Sequence, residues 1–157
     1  MGKLENDTYS VEQVKAKISQ TFPADVVLDD GRTETRRLYM AADRSVLFNL
    51  CKFLKDELGF DHCSLVSGVD WCDKFQSVYH ITSYSSNITL EIVVDLPHDE
   101  PEVDSVTPLW QGANWHERET FDMFGIVFKG HPNLKRLLLP EDYKFFPMRK
   151  DCAEGGQ

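Results

Sequence analysis

The sequence predicts an α+β fold: a small, mostly antiparallel or mixed sheet packed with helices, followed by an extended, irregular C-terminal segment. Three observations predict it. A short capped helix precedes a hairpin signal. A second, strongly amphipathic helix precedes three strand-like runs. Beyond residue 130, prolines recur at 132, 140 and 147, which forbids a long helix.

Ser10 and Gln13 stand at capping-box spacing, and Val11, Val14 and Ile18 follow at helical period, so residues 10–20 form a helix that Pro23 closes. "ADVVLDDGRTETRRLYMAA" reads as strands at roughly 25–29 and 34–40, joined at Asp30-Gly31. Asp43 is the expected N-cap of "RSVLFNLCKFLKDELG", in which Val46, Leu47, Leu50, Phe53, Leu54 and Leu58 form one stripe. Gly59 takes the C′ place of that helix. "CSLVSGVDW", "SVYHITSY" and "ITLEIVVDL" are strands, the last two joined at Ser85-Ser86-Asn87. At Pro97 the texture changes, and residues 97–110 read as a linker or exposed connection. The expected division is therefore a small α/β domain over 1–96 and, over 97–157, helical turns with an extended partner-docking segment. Within that second part, Thr107-Pro108 starts a short turn, Asn114 caps the helix "WHERETFDMF", Gly125 ends it, and "IVF" is a brief strand.

Composition narrows the function classes. Net charge is −9, and all of it lies in residues 1–114, with 10 Lys/Arg against 19 Asp/Glu; residues 115–157 hold 7 of each. An acidic body excludes sequence-independent nucleic-acid binding, and a balanced C-terminal third suits a surface that pairs its charges. No apolar run approaches the roughly 20 residues of a membrane span, and no secretory leader pattern opens the chain. These features predict a soluble protein made in the cytoplasm; if it meets a membrane, on its cytoplasmic side, partner subunits hold it there. Cys51, Cys63, Cys72 and Cys152 form no CxxC pair, so they read as core or surface thiols rather than disulfides or metal ligands.

Charged and aromatic residues concentrate in "WHERETFDMFGIVFKGHPNLKRLLLPEDY", from Trp115 to Tyr143. Glu117 and Glu119 are two apart and do not share a helix face, whereas Arg118 and Asp122 are four apart and pair. "HERET" has Thr120 where the second histidine of HExxH is needed, so it is no zinc face. His62, His80, His98 and His131 are dispersed and read as hydrogen-bonding residues rather than ligands. No GxGxxG, P-loop or nucleophile elbow occurs. The charges therefore read as helix support and interface contacts rather than acid–base catalysts, and Phe121, Met123, Phe124 and Phe128 as mostly core. An irregular segment orders itself only against something, because backbone ordering costs about 1–2 kcal/mol per residue. Packing against a foreign chain is the simplest account of an apolar tail such as Leu134 and Leu137 to Leu139.

The stretch resembles the signature of the thirty-kilodalton subunit family of respiratory complex I, whose members are also known as its C subunits. The resemblance runs through Glu117-Arg118-Glu119, Phe121-Asp122, Met123-Phe124-Gly125-Ile126, Phe128, Gly130-His131-Pro132, Leu134-Lys135-Arg136, Leu137 to Pro140, Asp142-Tyr143 and Pro147-Met148-Arg149-Lys150-Asp151. It spans Ser105 to Asp151; "YHITSY" adds a fragment upstream. Phe145-Phe146 stands where a glycine before the proline is usual, and Cys152 where an aromatic is common. The resemblance implies a small α/β domain whose C-terminal segment wraps the large quinone-site subunit. It implies no cofactor in this chain, with iron–sulfur clusters and flavin in partner subunits, and cluster-bearing subunits as further neighbours. The electron donor would be NADH or a reduced deazaflavin coenzyme; the alternative is the equivalent scaffold of a membrane-bound [NiFe] hydrogenase. The chain ends soon after the signature, and a short acidic version suits an archaeal or photosynthetic-type complex. Trp115, Glu117, Arg118, Glu119, Asp122, His131, Arg136, Arg149, Lys150 and Asp151 are then the expected partner-interface residues.

Overall fold

The computed structural model describes residues 8–32 and 34–151. Helix α1 (Val11–Thr21) opens with the expected capping box: Ser10 Oγ accepts the Gln13 N–H at 3.2 Å and Gln13 Oε1 accepts the Ser10 N–H at 2.9 Å. Its Val14 and Ile18 are fully buried. Helix α2 (Leu47–Leu58) buries Leu47, Leu50, Cys51, Leu54 and Leu58 along one stripe and ends on Gly59 in the left-handed region. Its start departs from the expected cap. Asp43 Oδ1 instead takes the N–H and hydroxyl of Ser45, closing a turn ahead of the helix, and the first turn at Val46 has no side-chain cap.

Five strands form one sheet in the order β1 (Val26–Leu28), β2 (Arg37–Ala42), β5 (Ile88–Pro97), β4 (Lys74–Ser83), β3 (His62–Asp70). The expected hairpin is β1–β2, with Val26 opposite Ala42, and the meander is β3–β4–β5. One parallel seam, Arg37 opposite Thr89 through Ala41 opposite Val93, joins them. Strand alternation puts Leu38 and Met40, Phe75, Tyr79 and Ile81, and Leu90, Ile92 and Val94 in one core with the stripes of α1 and α2.

The stretch after Pro97 is not an exposed linker. Strand β6 (Glu102–Asp104) pairs in parallel with β7 (Val127–Lys129), and Val103, Ser105, Val106 and Thr107 are buried. The pairing partner lies on the far side of a helix, so no local period marks it. That helix, α3 (Ala113–Phe124), starts after Gly112 rather than at an Asn114 cap and ends at Gly125 as expected. Thr107 opens the turn in which the N–H groups of Leu109 and Trp110 both reach the Val106 carbonyl. Val103, Val106, Trp110, Ala113, Ile126 and Phe128 belong to the same core as the sheet, so the change of texture at Pro97 separates no core.

Residues 130–151 carry no helix or strand, as the prolines dictate. They form a strap along α3. Cys152 lies outside the described residues.

Candidate functional site

Helix α3 is the axis of the signature stretch, and two of its carboxylates point inward. The Glu117 side chain has no exposed surface. Its Oε2 accepts the hydroxyls of Ser105 at 2.6 Å and Thr107 at 2.9 Å, and its Oε1 accepts the Val106 N–H at 2.7 Å. Burial pushes its carboxyl above the ordinary value, against the lowering effect of those hydrogen bonds. Three donors on one carboxylate fasten the β6 turn to α3. His131 stands alongside with no exposed side-chain surface, its Nε2 3.9 Å from Glu117 Oε2. Its Nδ1 accepts the Asn133 N–H at 3.0 Å, which leaves Nε2 as the donor toward the Asn114 carbonyl at 3.3 Å. Burial also holds His131 below its ordinary pKa, so it is a neutral hydrogen-bonding residue, as its dispersal in sequence suggested.

Asp122, also without exposed side-chain surface, is the second inward carboxylate. Oδ1 accepts Arg136 Nη1 at 2.9 Å, and Oδ2 accepts three successive N–H groups, those of Leu137 at 3.1 Å, Leu138 at 2.7 Å and Leu139 at 3.0 Å. Burial opposes ionisation here, but Arg136 and the three N–H groups outweigh it and hold the carboxyl below its usual range. Arg136 also donates to the Phe145 carbonyl at 2.9 Å and lies 4.9 Å from the Phe146 ring centre.

Arg149 closes the strap. Its Nε donates to the Phe124 carbonyl at 2.5 Å, and its guanidinium lies 5.0 Å from the Phe75 ring centre and 4.8 Å from that of Phe146. This seat exists because residue 125 is glycine: with φ +74°, a Cβ there would stand 2.6 Å from Arg149 Nη2 and 2.8 Å from the Phe146 ring. Beyond it the Met148 N–H reaches the Met123 carbonyl at 3.0 Å, and the Lys150 N–H reaches Asp70 Oδ2 at 2.8 Å.

One expectation is corrected by this geometry. Arg118 does not pair with Asp122; its Nε and Nη2 donate to the carbonyls of Lys135 and Arg136, each at 3.1 Å, while its guanidinium lies 5.2 Å from the Trp115 ring centre. Asp122 is taken instead by Arg136 and the strap backbone. Within the chain, the strap is anchored as far as Asp151 on α3, β3 and core aromatics. Of the expected interface residues, Glu117 and Asp122 are sealed inside, the His131 side chain is covered, Arg136 and Arg149 are engaged within the chain, and Arg118 is half-buried. Trp115, Glu119, Lys150 and Asp151 are exposed. Sequence reasoning missed Ser105, Thr107 and Gly125 as the seats of the two clamps. A polar pair spaced two apart around Val106 was the one available signal for the first.

Several large apolar side chains stand outward among these exposed charges. Trp115 is 60% exposed, Leu138 63%, Met148 56% and Phe145 40%. A cleft of about 390 Å³ opens between α3 and the strap, lined by Phe121, Leu134, Lys135, Arg136, Glu141 and Tyr143.

This clamp architecture sits within residues 40–157, which match the model of the family described as respiratory-chain NADH dehydrogenase, 30 Kd subunit. The chain belongs to that family. It is 41% identical over 133 residues to the C subunit of F420H2 dehydrogenase from Methanosarcina mazei, covering 83% of this chain and 84% of that one. It is 42% identical over 125 residues to the C subunit of NADH-quinone oxidoreductase from Roseiflexus sp. strain RS-1, covering 76% and 71%. Among solved structures, a trypsin-resistant fragment of Nqo5 superposes with a TM-score of 0.68 at 26% identity, over 79% of this chain and 98% of the fragment. A chain of the archaeal membrane-bound sulfane sulfur reductase shares the fold, with a TM-score of 0.77 at 22% identity over 89% of this chain and 84% of that one. The mixed sheet with its three helices is thus the fold of the 30-kilodalton subunit. Among the described residues of this family member, no helix is long and apolar enough to cross a membrane.

Proposed function

We propose that this chain is a non-catalytic subunit in the peripheral arm of a complex I-like, membrane-associated oxidoreductase, and that it braces the large quinone-site subunit. In that complex NADH or a reduced deazaflavin coenzyme supplies electrons to a quinone-type acceptor with coupled ion translocation. Iron–sulfur clusters and flavin belong to partner subunits, and contact with those partners holds the chain at the cytoplasmic side of the membrane. Relatives named as the C subunits of NADH-quinone oxidoreductase and of F420H2 dehydrogenase support the assignment.

The observation that carries the bracing role is a strap anchored from within that turns Leu138, Phe145 and Met148 outward. Trp115 joins them through Arg118, which links its ring to the strap carbonyls. Side chains fixed on a pre-ordered backbone lose little conformational freedom on docking, and large apolar anchors dominate interface energies. Glu117 and Asp122 are engaged in holding chain segments rather than aimed at a cleft, which suits a scaffold.

The test is recovery of the complex from membranes through a tagged copy of this chain. The unaltered chain brings down the large quinone-site subunit in equal amount. A Leu138→Asp, Met148→Asp chain, altered only at exposed positions, folds but loses that subunit. Equal recovery with both chains overturns the docking face.

A further inference from the structure

The end of the strap meets two residues that are far apart in sequence. Asp70 ends β3, His98 follows β5, and Asp151 is the last described residue of the strap. One ligand atom from each lies within 4.8 Å of the other two. Asp70 is 5% exposed, its Oδ1 accepting the Cys72 N–H at 2.7 Å and its Oδ2 the Lys150 N–H at 2.8 Å. Among the described residues no lysine or arginine side chain stands in ion-pair contact with it. Each Asp70 oxygen takes a single N–H, which leaves lone pairs on both open to a further ligand. His98 is stacked on Phe75, with ring centres 4.7 Å apart and planes 14° from parallel, so its ring is held in place. Its Nε2 lies 3.8 Å from Asp151 Oδ2, too far for a hydrogen bond. Two ligands that each sit about 2.0–2.2 Å from a shared zinc ion are separated by about 3–4 Å.

We propose that Asp70, His98 and Asp151 bind a divalent cation of the zinc class, which ties the strap to the end of the sheet. One imidazole and two carboxylates, with solvent completing the shell, suit a borderline ion; calcium and magnesium favour shells built from oxygen donors alone. The ion cross-links β3, the segment after β5 and the strap, three pieces of chain that only the tertiary fold brings together. The proposal is independent of the partner-docking role.

The experiment titrates zinc chloride into the full chain by calorimetry, with cobalt(II) absorption as a second readout. The expected result is one saturable site and a raised Tm in zinc. Affinity falls at least about tenfold in Asp151→Asn and in His98→Ala, since loss even of supporting groups around a metal costs that much. His80→Ala, altered on the sheet surface, keeps wild-type affinity. Because His98 also packs on Phe75, the exposed Asp151 decides the matter: wild-type affinity in Asp151→Asn overturns the site. So does the absence of a saturable site, or an equal loss in His80→Ala.

Discussion

Asp122→Asn tests the clamp that holds the strap. The substitution keeps shape and one acceptor oxygen but removes the charge that Arg136 and three N–H groups share. It also turns an amide NH₂ toward those donors. Breaking one side of a buried, hydrogen-bonded ion pair costs about 3–5 kcal/mol. The buried core residues all lie outside residues 130–151, so the loss is expected to fall on local docking rather than on global unfolding. At about 1.4 kcal/mol per tenfold, the open population rises by about a hundredfold to a few thousandfold. Hydrogen exchange reads this directly. Amides of Leu137, Leu138 and Leu139 exchange faster by that factor, while those of β4 and β5 keep their rates. If the three leucine amides exchange at the wild-type rate, Asp122 does not hold the strap and the clamp reasoning is wrong. If β4 and β5 accelerate equally, Asp122 is part of the global fold and the strap has no separate opening.

Gly125→Ala forces a Cβ against Arg149 Nη2 and the Phe146 ring at positive φ, so denaturant unfolding shows a loss above about 1 kcal/mol and trypsin cuts faster at Arg149 and Lys150. Glu117→Gln leaves donors from Ser105, Val106 or Thr107 facing an amide, at a cost of about 2–3 kcal/mol. Calorimetry should then show Tm lower by about 4–12 °C, for a domain of this size. The two carboxylates predict opposite pH slopes. Asp122 has a lowered folded pKa, so its contribution is present above the unfolded carboxylate pKa and is lost as pH falls through the folded one. Glu117 has a raised folded pKa, so its contribution is present below the unfolded pKa and is lost as pH rises through the folded one. The Asp122→Asn chain should thus resist acid with less change in strap exchange than the wild type, and the Glu117→Gln chain should lose part of the wild type's stability decline between acid and neutral pH. Trp115→Ala, at an exposed position, leaves the Tm of the free chain nearly unchanged, within about 0.5 kcal/mol, but weakens recovery of the complex.

Local order was legible in the sequence because it is written in periods and caps. The Ser10–Gln13 box, the α2 stripe with Gly59, and the alternation of β4 and β5 each follow from residues within a few positions of one another. The signature from Ser105 to Asp151 pointed to the family for the same reason, as an ordered string of residue types. Hidden from it were the relations between distant segments. Nothing local says that β6 pairs with β7 across a helix, that Asp122 faces Arg136 rather than Arg118, or that the strap packs along α3. A charge four residues along a helix is a partner only if no better donor arrives from elsewhere, and here three backbone N–H groups and a guanidinium do. Burial decides such competitions, since a carboxylate withdrawn from water binds whichever donors the fold delivers. The sequence determined which residues carry charge and where helices and strands run; the tertiary structure alone decided which charges are sealed inside and which side chains are left to meet another molecule.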